Sequence, residues 1–274
     1  MRAKKSLGQH FLKSERALST IIESAQIKIG DTILEIGPGT GTLTEKLLAT
    51  SCQLTAVEKD DDLYELLKEK FQKEILSGQL NLIHDDILNF QTSNLQTYKL
   101  VANIPYNITG TILKKFLEAD QQPEMIVLLV QKEVARRIVA RKKPLDSARG
   151  KESILSISIK VYGQPRFVET VKAGSFVPMP QVDSGIIVIE SISKDFFKEI
   201  AVYVDTECQR VEEGFFKMVR AGFQSKRKKL SSNLSVIFNK NKIRETFERL
   251  GLDEFMRAEN MSVDNWQKLA KNLL

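Results

Sequence analysis

The sequence predicts an α/β protein with a doubly wound, mainly parallel sheet and a smaller helical domain at its C-terminus. Three observations carry that expectation. Short apolar runs alternate with amphipathic stretches from about residue 15 to residue 130, the spacing of βαβ units. One run, Met125-Ile126-Val127-Leu128-Leu129-Val130, is apolar throughout, as a central strand covered on both faces requires. From about Lys194 the pattern turns helical, with Val211, Phe215, Val219 and Phe223 recurring every four residues. The expected division is a first domain over 1–193 and a second over 194–274.

The elements follow in order. Residues 15–26 read as a helix and 33–36 as a strand that runs into Gly37-Pro38-Gly39-Thr40-Gly41. Leu43, Leu47 and Leu48 mark the next helix. Residues 54–57 read as a strand, 60–73 as one amphipathic helix, 80–83 and 99–102 as strands, and 111–117 as a helix. Beyond residue 151 the segments 154–161, 167–171 and 185–189 read as strands that complete the far edge of the sheet.

Composition narrows the class. The 274 residues are 42% apolar and 28% charged, enough to bury a real core. No apolar run approaches the roughly 20 residues that cross a bilayer, and the basic leader lacks the apolar stretch of a secretory signal. Two distant cysteines, Cys52 and Cys208, exclude a disulfide framework and a cysteine zinc site. His10 and His84 lack metal-ligand spacing, so no metal is expected, and a reducing cytoplasm fits best. The net charge is +6 and unevenly spread: residues 220–244 hold eight basic side chains and no acid, and 132–151 hold eight against Glu133 and Asp146. Such clusters suit a surface that follows phosphates.

A glycine-rich turn between strand and helix brings backbone N–H groups to a ligand. Gly37 opens that turn, and Glu58, 21 residues on at the next strand's end, is placed to accept ribose hydroxyls. Strand, loop and acid serve any adenosine ligand, NAD or S-adenosylmethionine. Asp86, with Asp85 as its neighbour and competitor, can accept from an adenine amine. Asn103-Ile104-Pro105-Tyr106 follows a strand directly, at the sheet edge where ligands bind. An aryl amine is a weak nucleophile because its lone pair is delocalised. The Asn103 side-chain oxygen and the Ile104 carbonyl can take its two N–H bonds, Pro105 fixes that carbonyl's direction, and Tyr106 offers a stacking face. Phe176, before the extended Pro178-Met179-Pro180, reads either as a second aromatic opposite Tyr106 or as a core residue.

Taken in order, Gly8-Gln9-His10-Phe11-Leu12, the loop from Leu34 to Gly41, Asn103-Ile104-Pro105-Tyr106-Asn107, Gln131-Lys132-Glu133-Val134-Ala135 and the stretch from Phe176 to Ser184 resemble the ribosomal RNA adenine dimethyltransferases. The stretch from Val219 to Leu234 is similar to the C-terminal domain of the KsgA/RsmA branch, which dimethylates two adjacent adenines near the 3′ end of 16S rRNA. The resemblance implies a Rossmann-like class I methyltransferase using S-adenosylmethionine on 16S rRNA in the immature small subunit, acting as a cytoplasmic monomer. It implies that His10 and Leu12 border the cofactor, with Gly37 under its methionine part, Glu58 on the ribose, Asp86 on the adenine amine and Asn103 between cofactor and substrate. The family often has Asn in place of His10, and residues 144–152 depart from its usual loop, with Arg149-Gly150 where it has Tyr-Gly. Three other readings compete: a sister enzyme acting on large-subunit rRNA, a nicotinamide-dependent oxidoreductase, and a non-enzymatic assembly factor that binds RNA.

Overall fold

The computed structural model describes residues 8–140 and 151–274. The basic leader, the cations Arg141, Lys142, Lys143 and Arg149, and the divergent loop as far as Gly150 lie outside the described residues. The chain runs β1 (Phe11–Leu12), α1 (Glu15–Ala25), β2 (Thr32–Ile36), α2 (Thr42–Leu48), β3 (Gln53–Glu58), α3 (Asp61–Lys70), α4 (Gln72–Leu76) and β4 (Leu80–His84). It continues through β5 (Lys99–Asn103), α5 (Thr109–Leu117), β6 (Met125–Gln131), α6 (Lys132–Val139), α7 (Ile154–Lys160), β7 (Gln164–Val171), β8 (Phe176–Val177) and β9 (Ser184–Glu190). Five helices follow: α8 (Asp195–Tyr203), α9 (Cys208–Gly222), α10 (Leu230–Leu234), α11 (Lys240–Arg249) and α12 (Val263–Leu273).

These elements form two compact units, Met1–Arg136 with Gln164–Ile192, and Arg137–Gly163 with Ser193–Leu274. The longer segment of the second unit starts at Ser193, beside the compositional shift near Lys194. The unit also takes Arg137–Gly163, which the sequence division had assigned to the first domain.

Seven strands of the first unit make one sheet in the order β4-β3-β2-β5-β6-β9-β7. The first five are mutually parallel, and β9 and β7 add antiparallel strands on the far edge. In β2, β5 and β6 nearly every residue is buried, so these apolar runs sit in the middle of the sheet, with both faces covered. Leu18 and Ile21 of α1, Leu47 of α2, and Ile33, Val101, Val127 and Val188 of the strands share one core. Each such side chain contributes about 1.5–3 kcal/mol on burial. Ser14 caps α1 by accepting from Ala17 N, and Asp60 caps α3 by accepting from Asp62 N and Leu63 N.

Two sequence expectations fail locally. The segment 154–161, read as a strand, is the helix α7: Ser153 and Ser156 form a reciprocal capping box that starts a helical turn, and Ile157 and Ile159 bury within it. The single helix expected over 60–73 is two, broken at Phe71, whose backbone (φ −109°, ψ 30°) leaves the helix while its ring enters the core beside Gly41.

The second unit is held by α9. Phe215 and Val219 of the expected stripe are fully buried, together with Phe197 of α8 and Trp266 of α12. The Trp266 ring crosses so close to Gly222 that a Cβ there would stand 2.5 Å from it. Asn233 of α10 donates to Gly222 O and Ser225 O, tying off the end of α9.

Candidate active site

From β2 the chain winds outward through β3 to β4, and from β5 it winds the other way through β6. The carboxyl ends of β2 and β5 are thus the point where the sheet order reverses, and helices leave to opposite faces. A cavity of about 330 Å³ opens there, within the first unit. Its floor is the glycine loop after β2. Gly37 adopts φ 62° and donates to Val57 O; where it borders the cavity a Cβ would meet nothing, so the space beside its backbone is left to a ligand. Gly41 adopts φ 75°, and a Cβ there would stand 2.5 Å from the Phe71 ring.

Glu58, at the end of β3, lines the cavity and is almost fully buried. Its Oε2 accepts from Gly39 N at 3.0 Å, and its Oε1 accepts from Lys59 N and Asp60 N, each at 2.9 Å. A carboxylate has about four acceptor sites, so these three bonds leave one for a ligand hydroxyl, on Oε2. Burial pushes the Glu58 carboxyl up, against the pull of those three N–H groups. At the cavity's other end Lys59 Nζ donates to Asp86 Oδ2 at 2.7 Å, and Leu88 N to Asp86 Oδ1. The Lys59 bond, then the Leu88 bond, hold Asp86 below the usual carboxylate range. Asp85 lines the same wall and accepts from Asp86 N.

Glu35 is a site residue that the sequence reading passed over. It is 1% exposed in the middle of β2, borders the cavity and accepts from Thr44 Oγ1 at 2.8 Å. Burial pushes its carboxyl up to about 8, a shift the Thr44 bond opposes and Glu58 reinforces. The signal was present in the sequence, as an acid inside a run of residues that covered strands require to be apolar.

The bend after β5 forms the remaining wall. Asn103, Ile104, Pro105 and Tyr106 line the cavity, as do His10 and Leu12 from the N-terminal segment. Asn103 Nδ2 donates to His10 O at 3.1 Å, which leaves Oδ1 of the same amide as an acceptor. Pro105 (φ −55°, ψ 134°) starts a short 3-10 turn over Tyr106–Ile108. The Tyr106 hydroxyl meets Ser184 Oγ at 2.6 Å, and its ring stacks with the His10 imidazole at 5.9 Å between centroids, 20° between planes. Burial pushes the Tyr106 phenol up, against its Ser184 bond, so it stays neutral.

Phe176 is the exception among the expected site residues. It does not line the cavity but is 2% exposed in the core, on β8 opposite Leu12 of β1. Side chains alternate along a strand, and here the outward position falls to Val177, 46% exposed. Of the two readings of Phe176, the core residue is the one realised.

Among the described residues four acids (Glu35, Glu58, Asp85, Asp86) line the cavity against a single lysine, Lys59; burial keeps Glu35 protonated near neutral pH and Asp86 engages Lys59, so the excess of acid rests on Glu58 and Asp85. This charge balance fits the cationic sulfonium and ammonium of S-adenosylmethionine and opposes the pyrophosphate of a dinucleotide. The bare backbone at Gly37 and the spare acceptor on Glu58 fit the rest of that cofactor.

Comparison with known proteins agrees. The family model described as Ribosomal RNA adenine dimethylase matches residues 1–274. Ribosomal RNA small subunit methyltransferase A of Dehalococcoides mccartyi is 41% identical over 276 residues, covering 98% of this chain and 88% of that protein. The protein of that name from Nostoc sp. is 37% identical over 287 residues, covering 100% and 98%. A dimethyladenosine transferase from Plasmodium falciparum superposes with a TM-score of 0.74 at 25% identity, covering 95% of this chain and 96% of that one. The 23S rRNA methyltransferase ErmE shares the fold, with a TM-score of 0.72 at 23% identity over 96% and 99%.

Fold and site together define a Rossmann-like methyltransferase whose methyl donor is S-adenosylmethionine. The chain belongs to the ribosomal RNA adenine dimethylase family.

Proposed function

We propose that the protein dimethylates N6 of two adjacent adenines near the 3′ end of 16S rRNA, acting as a cytoplasmic monomer on the immature small subunit. The observation that carries this reading is the Asn103 amide. Its nitrogen is committed to His10 O, so its oxygen is oriented as an acceptor at the end of β5. Kinship with proteins named for the small subunit supports the choice of rRNA.

Bound S-adenosylmethionine supplies an electrophilic methyl group on a sulfonium. The chain's own residues make the amine a competent partner for it. Asn103 Oδ1 and Ile104 O accept the two N–H bonds of the adenine amine, which favours a pyramidal nitrogen with its lone pair directed at the donor. Pro105 fixes the direction of the Ile104 carbonyl. Tyr106, fixed by Ser184, carries the base on its ring. The nitrogen loses its proton only after it has gained the methyl, so positioning and electrostatics do most of the work.

The test is methyl transfer to immature small and large subunits by the wild type and Asn103→Ala. Transfer is expected on small subunits alone, and Asn103→Ala should lower turnover by about 10²-fold or more, the cost of losing one positioned polar group, while RNA affinity holds. Transfer confined to large subunits, or unchanged turnover in the variant, refutes the assignment.

A further inference from the structure

We infer that the His10 imidazole is a positioning residue for methyl transfer, a strut that holds Tyr106 and the Pro178 segment in the geometry that receives the base. The inference rests on the function proposed above and adds a role distinct from bordering the cofactor.

His10 meets three parts of the wall at once. Its carbonyl accepts from Asn103 Nδ2 at 3.1 Å. Its Nδ1 lies 2.8 Å from Pro178 O. A carbonyl only accepts, so Nδ1 carries the proton and donates. Its ring stacks with the Tyr106 ring, centroids 5.9 Å apart and planes 20° apart. The first contact belongs to the backbone and survives any side-chain change. The other two belong to the imidazole and join segments otherwise far apart in sequence.

Each partner is already restrained on its other side. The Tyr106 hydroxyl is bonded to Ser184, at the start of β9, and Tyr106 O accepts from Thr109 Oγ1. The Pro178 segment follows β8, which pairs Phe176 and Val177 with Leu12 and Phe11. The phenol ring pivots between its backbone and its hydroxyl, and the imidazole is the flat group that sets its tilt. With one side of the ring against His10, the base has the opposite face on which to stack. A flat ring that is also a donor does both jobs; an aliphatic side chain does neither, and an amide does only one.

The experiment uses the full chain with S-adenosylmethionine and small-subunit RNA substrate, comparing wild type with His10→Ala, His10→Asn and His10→Phe. Cofactor affinity is read by calorimetry, the thermal midpoint by calorimetric scan, and kcat and KM for RNA by methyl incorporation. His10→Ala should bind the cofactor like wild type, unfold at a similar temperature and lose about tenfold or more in kcat, as expected when a reacting group is misplaced by a fraction of an ångström. His10→Asn, which keeps a donor for Pro178 O, and His10→Phe, which keeps the ring against Tyr106, should each recover part of that loss. The inference is overturned if kcat is unchanged in all three, if the loss lies wholly in cofactor affinity, or if His10→Ala turns over faster, which would make the imidazole a placeholder for the base. A wild type that transfers no methyl to this RNA would sink the proposed function instead, so the two failures are distinguishable.

Discussion

A carboxyl group sealed inside a parallel sheet is costly to ionise, and Glu35 is such a group. Its folded-state pKa, about 8, stands well above the value near 4.3 of an unfolded chain. Between those values the folded protein holds a proton that the unfolded chain has released. Stability is therefore full below about pH 4.3 as far as this group is concerned, and is lost as pH rises through 8, by up to about 1.4 kcal/mol per unit. Glu35→Gln keeps an acceptor for Thr44 Oγ1 and removes the titration. Urea unfolding from pH 6 to 9 should show the wild type weakening and the variant holding a flatter curve, more stable than wild type by about 1 kcal/mol or more at pH 9. Parallel curves would mean that Glu35 ionises freely. Asn103 and Tyr106, which line the cavity, stood out in the sequence because their bend follows a strand directly and comes after a glycine loop and a strand-end acid; alone it reads equally well as an ordinary turn. Phe176 was not, since an aromatic before prolines reads the same whether it faces a ligand or the core.

Elements are set by caps and close approaches as much as by periodicity. The central strands were legible because burial on both faces leaves little room for polar residues, and residues 33–36, 99–102 and 125–130 obey that rule with two exceptions, Glu35 and Lys99, whose Nζ donates to Gln26 O and Asp31 Oδ2. The helix α7 was misread because its apolar spacing carries little information over seven residues, while the decisive bonds are two serine hydroxyls. The break between α3 and α4 depends on a distant partner, Gly41, which no local pattern reports. That contact has a measurable consequence. Gly41→Ala adds a Cβ 2.5 Å from a buried Phe71 ring and forces a left-handed backbone on a residue that resists it. Strain and overpacking together should cost about 2–4 kcal/mol, read as a lower urea midpoint with unchanged slope. A loss under about 0.5 kcal/mol would show that Phe71 moves aside freely.

Over the whole molecule, charge is apportioned by unit. In the second unit Arg220, Lys226, Arg227, Lys228, Lys240 and Arg244 are exposed, and among the described residues none of the six is in an ion pair. Lys229, by contrast, pairs with Glu254 and stacks on Phe255. Unpaired cations in water are available to phosphates and release counterions when they meet them. Replacing Lys226, Arg227 and Lys228 together by Gln should weaken RNA binding and make the log–log salt slope shallower by about two. Binding measured across a salt series checks this, and an unchanged slope would exclude these three side chains from the RNA surface.

The pairing of β1 with β8 bears on how the protein is made. The partner of β1 exists only after the turn before Phe176 has been synthesised, and β9, the last strand of the seven-stranded sheet in chain order, comes later still. Nascent chains halted after β6 already own the glycine loop and Asn103, yet lack β8, the strand that pairs with β1. The β1–β8 pairing is thus a late product of translation, and long-range closure of this kind is slow relative to helix formation.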